Sequence, residues 1–310
     1  MLLFTRTIPR PAIWGGTLIK RYFNYPQFPD GIGQSWSFSA QTGEGKSNVI
    51  AGGAFDGQTL LDVWNGQPEL FASRHKRFPV IISLVAPEDD LSLQIHPADA
   101  AAARLGYPTG KNEAWYFLEA RENASIVYGL NAKSEAELRA MIREDRWDEI
   151  PKSLPVRRGD FVYLPAGMVH ALKKGSIVYE IQQATDITYR FYDYRRKDAQ
   201  GHERPLQLEE AIGCVDYSLT QAGAHPEAAT SFYPGAKVTT FLRNDSFCVR
   251  RYDIAGDSVF SFAAYQLMTC VRGKGFANDQ PVAVGDSFLV TVGTAVRMTG
   301  DMCLMCTSEE

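Results

Sequence analysis

Two histidines, a glutamate and a glutamine stand where one metal ion could gather them. The segment GDFVYLPAGMVHAL runs as a strand, Phe161 to Leu164, into a turn marked by Pro165 and Gly167, and delivers His170 at the start of the next strand. Pro165 fixes φ and Gly167 is free to take positive φ, so the chain reverses at a defined angle. Upstream, LSLQIHP carries Gln94 and His96. Strand side chains alternate with period two, so these two share a face while Leu93 and Ile95 point the other way; Pro97 then ends the strand. In GKNEAWYFLE, Glu113 opens a further apolar run. Gln94, His96, Glu113 and His170 form a mixed nitrogen and oxygen donor set that suits zinc, and also manganese, iron or cobalt. With one carboxylate, a divalent ion keeps a net charge of about +1 and stays a useful Lewis acid.

A lone strand histidine is more often a packed or hydrogen-bonded residue than a ligand. Here two of only five histidines fall in separate motifs, and those motifs resemble the cupins, small jelly-roll barrels that bind one metal. The remaining three, His75, His202 and His225, lie in polar or loop-like surroundings and read as surface residues.

The elements that must position these groups read as mainly β. Thr59 is placed to cap a short helix in TLLDVWNG, Pro68 to start another, and residues 78–97 read as two strands joined by a polar turn. Residues 98–105 form an alanine-rich helix stopped by Gly106. Ser134 to Trp147 is the clearest helix, with a capping box from Ser134 and Glu137 and an apolar face of Leu138, Met141 and Ile142. Residues 218–235, rich in Ala, Ser, Gly and Pro, read as a linker. Near the C-terminus GDSFLVTVGTAVRM repeats the spacing of GDFVYLPAGMVHAL: Gly285, Asp286 and Gly293 match, Thr291 stands for Pro165, and Val296 stands for His170. The expected architecture is two cupin-type jelly-roll barrels with helical insertions: a metal-binding catalytic domain at 1–225 and a degenerate, metal-free one at 226–310.

Composition excludes several classes. The 310 residues suffice for one large or two moderate domains, and 45% hydrophobic residues with a net charge of −4 fit a globular protein. No basic stripe points to nucleic acid and no apolar run suits a membrane span. The N-terminus lacks the pattern of a secretory signal, and five scattered cysteines read as reduced thiols, so a cytoplasmic protein is expected. Cys303 and Cys306 form a C-x-x-C in a strand-like run, where positions three apart face opposite ways; packing accounts for them.

Further polar groups narrow the chemistry. Lys111 lies two residues before Glu113 and brings an ammonium to the site. In EIQQATDITYRFYDYR, period two places Asp186, Thr188 and Arg190 on one face. Arg190 suits a developing oxyanion and Asp186 suits orienting it or moving a proton. Such a set fits aldose–ketose isomerisation, in which a proton leaves the carbon beside a carbonyl and returns to its neighbour through an enediolate. Redox chemistry at an iron or manganese ion is the rival use.

In order and spacing, LSLQIHP, GKNEAWYFLE, GDFVYLPAGMVHAL and EIQQATDITYRFYDY resemble type I mannose-6-phosphate isomerases of the short bacterial form. The likeness runs from IWGG through RPLQLEEAI into the second repeat. It implies a zinc enzyme, with one ion per chain, that interconverts mannose 6-phosphate and fructose 6-phosphate, acting as a monomer or homodimer. It implies Gln94, His96, Glu113 and His170 as ligands, and Lys111, Asp186 and Arg190 as the catalytic lysine, acid and arginine. Four positions depart from the family pattern: Gln34, Ser37 and Ala86 replace acids, and Ser83 replaces a lysine. These departures bear on how the sugar phosphate is gripped. The alternatives are a related isomerase of another sugar and a non-catalytic sugar-binding cupin.

Overall fold

The computed structural model describes residues 1–198 and 200–309, and its named strands pair antiparallel in three sheets. A six-stranded sheet runs in the order Phe161–Leu164, Glu113–Ala120, Ser176–Gln183, Val80–Val85, Ile32–Phe38 and Ile8–Gly16. A five-stranded sheet runs Tyr189–Tyr192, Leu93–Ile95, His170–Ala171, Ser125–Leu130 and Pro151–Pro155. Trp115, Phe117 and Val178 of the first share one apolar core with Ile126, Tyr128 and Leu154 of the second, so the two sheets pack face to face.

Alternation then dictates what enters the space between them. Glu113 lies on the same face as Trp115 and Phe117, while Tyr116 and Leu118 pack outward. Leu93, Ile95 and Ala171 pack on the outer side of the five-stranded sheet, which turns Gln94 and His170 inward. That outer side is covered by the helices Glu135–Arg143 and Leu208–Gly213, through Leu138, Met141, Ala211 and Ile212. Each fully buried Leu or Met contributes about 2 kcal/mol. The helical insertions thus brace the strands that carry the donor set.

The nine-stranded sheet holds the C-terminal strands from Ala229–Tyr233 to Ala295–Ser308, and also takes in Leu2–Arg6 and Val49–Ala51. The seam expected between residues 225 and 226 is therefore crossed by N-terminal strands: Leu3 pairs with Leu289 and Phe4 with Phe288. One face of this sheet, with Met268, Phe288 and Leu304, forms its own core; the other, with Leu267, Leu289 and Met305, packs on the outer face of the six-stranded sheet.

Some local expectations hold and others do not. Thr59 makes a full capping box with Asp62. Ser134 Oγ accepts from Glu137 N at 3.3 Å, but the Glu137 carboxylate takes the Lys133 N–H at 2.8 Å, so that box is half formed and the helix stops at Arg143. The supposed linker contains a strand, Ala229–Tyr233, because Pro234–Gly235 makes a tight reversal onto Ala236–Arg243, with Gly235 at φ 68°. Cys303 and Cys306 face different cores, and no disulfide joins any of the five cysteines among the described residues. No helix among the described residues is long and apolar enough to cross a membrane.

Candidate metal centre and substrate cleft

His96, Glu113 and His170 meet between the two sheets, each about 1% exposed, with donor atoms of all three within 4.8 Å of one another. Glu113 Oε1 lies 3.3 Å from His96 Nε2, and Oε2 lies 3.3 Å from His170 Nε2. Each ring is held from behind. His96 Nδ1 is 2.8 Å from the Ile187 carbonyl and His170 Nδ1 is 2.9 Å from the Met168 carbonyl. A carbonyl only accepts, so the proton of each neutral ring sits on Nδ1 and each Nε2 turns a lone pair inward.

Two imidazole lone pairs therefore face a carboxylate. His96 Nε2 and Glu113 Oε2 are buried and take no hydrogen bond. Facing acceptors repel unless a cation lies between them, and donors of this kind suit a divalent metal. Protonation is a poor substitute: burial first, then the Lys111 ammonium, push His96 down to about 3. Burial alone would raise Glu113, but Lys111 and His96 outweigh it and hold the carboxyl well below its usual range. Gln94, paired across the strands with His170, brings its amide nitrogen to 3.4 Å from His170 Nε2. A half-turn about its last torsion brings the oxygen to the same place, where it could serve as a donor.

A cleft of about 220 Å³ opens above this cluster and is lined by Gln94, Lys111, Glu113, Asp186, Thr188 and Arg190. Every residue expected at the site thus lies in the cleft or directly beneath it. Lys111, 5% exposed, donates to Glu113 Oε1 at 2.8 Å. Asp186 sits on a loop at the rim, where its exposed carboxylate is 3.6 Å from Lys46 Nζ. Arg190 is half-buried, and burial together with the nearby Arg204 lowers its proton affinity.

Sequence reading overlooked Glu180. It stands opposite Trp115 and Ser83 in the six-stranded sheet and lines the same cleft. Ser83 Oγ donates to its Oε2 at 2.6 Å and Trp115 Nε1 to its Oε1 at 3.0 Å. Burial first, then repulsion from Glu113, raise its affinity for a proton. The available signal was an acid inside the apolar run SIVYEIQQ, in phase with Gln182. Of the departures, Ser83 thus orients Glu180, Gln34 accepts from Trp36 Nε1 at 3.0 Å on the cleft wall, Ser37 is buried, and Ala86 is fully buried. A larger groove of about 660 Å³, lined by Pro155, Gly159 and His225, holds none of these groups.

No protein-family model matches the chain. The mannose-6-phosphate isomerase of Streptococcus mutans is 35% identical over 275 residues, covering 88% of this chain and 85% of that protein. The mannose-6-phosphate isomerase ManA of Bacillus subtilis is 34% identical over 280 residues, covering 88% and 86%. Among solved structures, a mannose 6-phosphate isomerase from Bacillus subtilis superposes with a TM-score of 0.92 at 30% identity, over 99% of both chains. A mannose 6-phosphate isomerase bound with zinc and yttrium shares the fold at a TM-score of 0.75 and 14% identity, over 100% of this chain and 99% of that one.

Proposed function

The chain belongs to the mannose-6-phosphate isomerase family, and on that premise we propose how its cleft works. The enzyme is an aldose–ketose isomerase that interconverts mannose 6-phosphate and fructose 6-phosphate through an enediol or enediolate. In this reading His96, Glu113, His170 and the Gln94 carboxamide hold one zinc ion per chain. The observation that carries it is the pair of inward Nε2 lone pairs facing one buried carboxylate. When bound, such an ion supplies Lewis acidity beside the sugar oxygens.

The remaining work falls to side chains of the cleft. Lys111, fixed by Glu113, donates to a sugar oxygen from the floor. Arg190 stabilises negative charge on the oxygen that gains it as the proton leaves carbon. Glu180, with both oxygens oriented by Ser83 and Trp115, moves the proton between the two adjacent carbons; its raised proton affinity favours a carrier that works in both directions. Asp186, paired with Lys46 at the rim, orients the substrate. We place this chemistry in residues 1–225 and read residues 226–310 as a second, metal-free jelly roll.

Purified protein is expected to convert mannose 6-phosphate to fructose 6-phosphate, to stop after treatment with a chelator, and to recover on adding zinc. No turnover with added zinc, manganese or cobalt rejects the assignment.

A further inference from the structure

The donor set comes from three chain segments far apart in sequence: His96–Pro97, Lys111–Glu113 and the turn from Pro165 to His170. Three hydrogen bonds join them pairwise into a closed ring. The N–H of Gly167 donates to the His96 carbonyl at 2.9 Å, and the N–H of Lys111 donates to the Pro97 carbonyl at 3.1 Å. The third side, between the Glu113 segment and the His170 turn, is closed by a side chain: the N–H of Ala166 donates to Asn112 Oδ1 at 2.9 Å. We propose that Asn112 is a positioning residue, whose amide sets the spacing between Glu113 and His170 and thereby the affinity of the site for a divalent metal.

Alternation points Asn112 away from the cleft that Lys111 and Glu113 face, so it acts from behind. Its amide is not free to turn. Asn112 Nδ2 donates to Gln183 Oε1 at 2.9 Å and to Ser246 Oγ at 3.3 Å. Gln183 Oε1 also takes the Asn112 N–H at 2.8 Å, and the Gln183 N–H returns a bond to the Asn112 carbonyl at 3.0 Å. Gln183 is itself fixed, because its Nε2 donates to Thr109 Oγ1 at 2.7 Å. Thr109 Oγ1 and the Gly110 N–H in turn both donate to Asp99 Oδ1, at 2.9 and 2.6 Å. This sequence of donors and acceptors forces Asn112 Oδ1 toward Ala166. Of the three sides of the ring, it is the one a substitution can open.

Metal–ligand bonds tolerate errors of only about 0.2 Å, so a slackened support is felt as affinity before it is felt as unfolding. The inference rests on the metal reading of the site, and the test separates the two. Chelated protein is titrated with Co²⁺, followed by its visible d–d absorption, and then competed with Zn²⁺. Asn112→Ala is expected to bind ~10–100-fold more weakly than wild type, the usual cost of removing a group that holds a ligand in place. Because the spacing of Glu113 and His170 changes, the Co²⁺ d–d bands of Asn112→Ala are also expected to shift in position and intensity, which a merely structural defect elsewhere does not predict; Asn112→Asp would set a second acceptor against Gln183 Oε1 and does not serve as a rescue. Should Asn112→Ala fail to fold, Asn112→Ser, one bond too short to span the gap, replaces it. Affinity within about twofold of wild type in the Ala variant, or Co²⁺ bands unchanged in it, overturns the role of Asn112. A wild-type protein that gives no Co²⁺ spectrum overturns the metal reading itself.

Discussion

The segments Gly159–Leu172 and Gly285–Met298 are built alike and do different things. In both, a glycine at positive φ (90° and 95°) precedes an aspartate whose carboxylate caps the turn: Asp160 accepts from Arg157 N at 2.9 Å, Asp286 from Ala283 N at 2.8 Å. Both continue as a four-residue strand and reverse at a second positive-φ glycine, Gly167 at 85° and Gly293 at 69°. The strand partners also correspond. Leu164 pairs with Glu113, and Val290, at the same place in its own segment, pairs with Gln266. The C-terminal copy thus sets a neutral amide against the Glu113 position and Val296, fully buried among Met268, Phe288 and Met298, against the His170 position. The backbone is alike in the two, while packing stands in the second where the charge and the imidazole stand in the first. A shared scaffold therefore does not carry the chemistry; the inward side chains do.

The sharpest way to break this contrast is at His170. His170→Ala is expected to abolish metal retention and turnover together, whereas Val296→His is expected to add no metal because a neutral amide, Gln266, stands where Glu113 stands in the other segment; elemental analysis of both proteins decides. Arg190→Ala should next cut turnover by at least ~100-fold while leaving metal content at the wild-type level, the scale of losing one transition-state donor. Near-normal turnover removes Arg190 from the reaction.

A smaller effect concerns the buried acid of the N-terminal side. Glu180 binds its proton more tightly in the fold than in the unfolded chain, where its value is about 4.3. Between that value and its raised folded one, the unfolded state has lost a proton that the fold keeps. The stability of the metal-free protein therefore falls as pH rises through that window. Glu180→Gln should flatten this slope and slow catalysis; denaturant melts at several pH values test it.

The smallest contrast lies in the paired glycines. A Cβ at Gly293 meets nothing within 4 Å, so Gly293→Ala costs only what its left-handed backbone demands, about 1–2 kcal/mol. At Gly167 the same Cβ lies 3.0 Å from Asp216 Cβ and 3.3 Å from the Cys214 carbonyl, so Gly167→Ala should cost more. Equal losses in thermal unfolding contradict the packing difference.

Period-two alternation and turn residues made much of the site legible. Gln94 and His96 were readable as neighbours near one face, and the Pro165–Gly167 turn announced His170. Those signals are local. Glu180 escaped because its partners, Trp115 and Ser83, are set by strand register across distant segments, which spacing along the chain does not reveal. Asp186, Thr188 and Arg190 were expected on one face of a strand; the chain is a loop until Tyr189, and Asp186 meets Lys46 at the rim instead. The strand Ala229–Tyr233 hid inside a stretch of turn-forming composition, since pairing with its neighbour outweighs weak intrinsic preference.

The strand Leu2–Arg6 pairs on one edge with Val49–Ala51 and on the other with Ser287–Val290. During synthesis the Val49–Ala51 edge can be filled early, whereas the other edge waits until Ser287–Val290 has been made. Until then that edge stands bare, a site open to wrong pairing. Shortened forms that stop before residue 287 should consequently aggregate or call on chaperones, even though every group of the cleft has already been made.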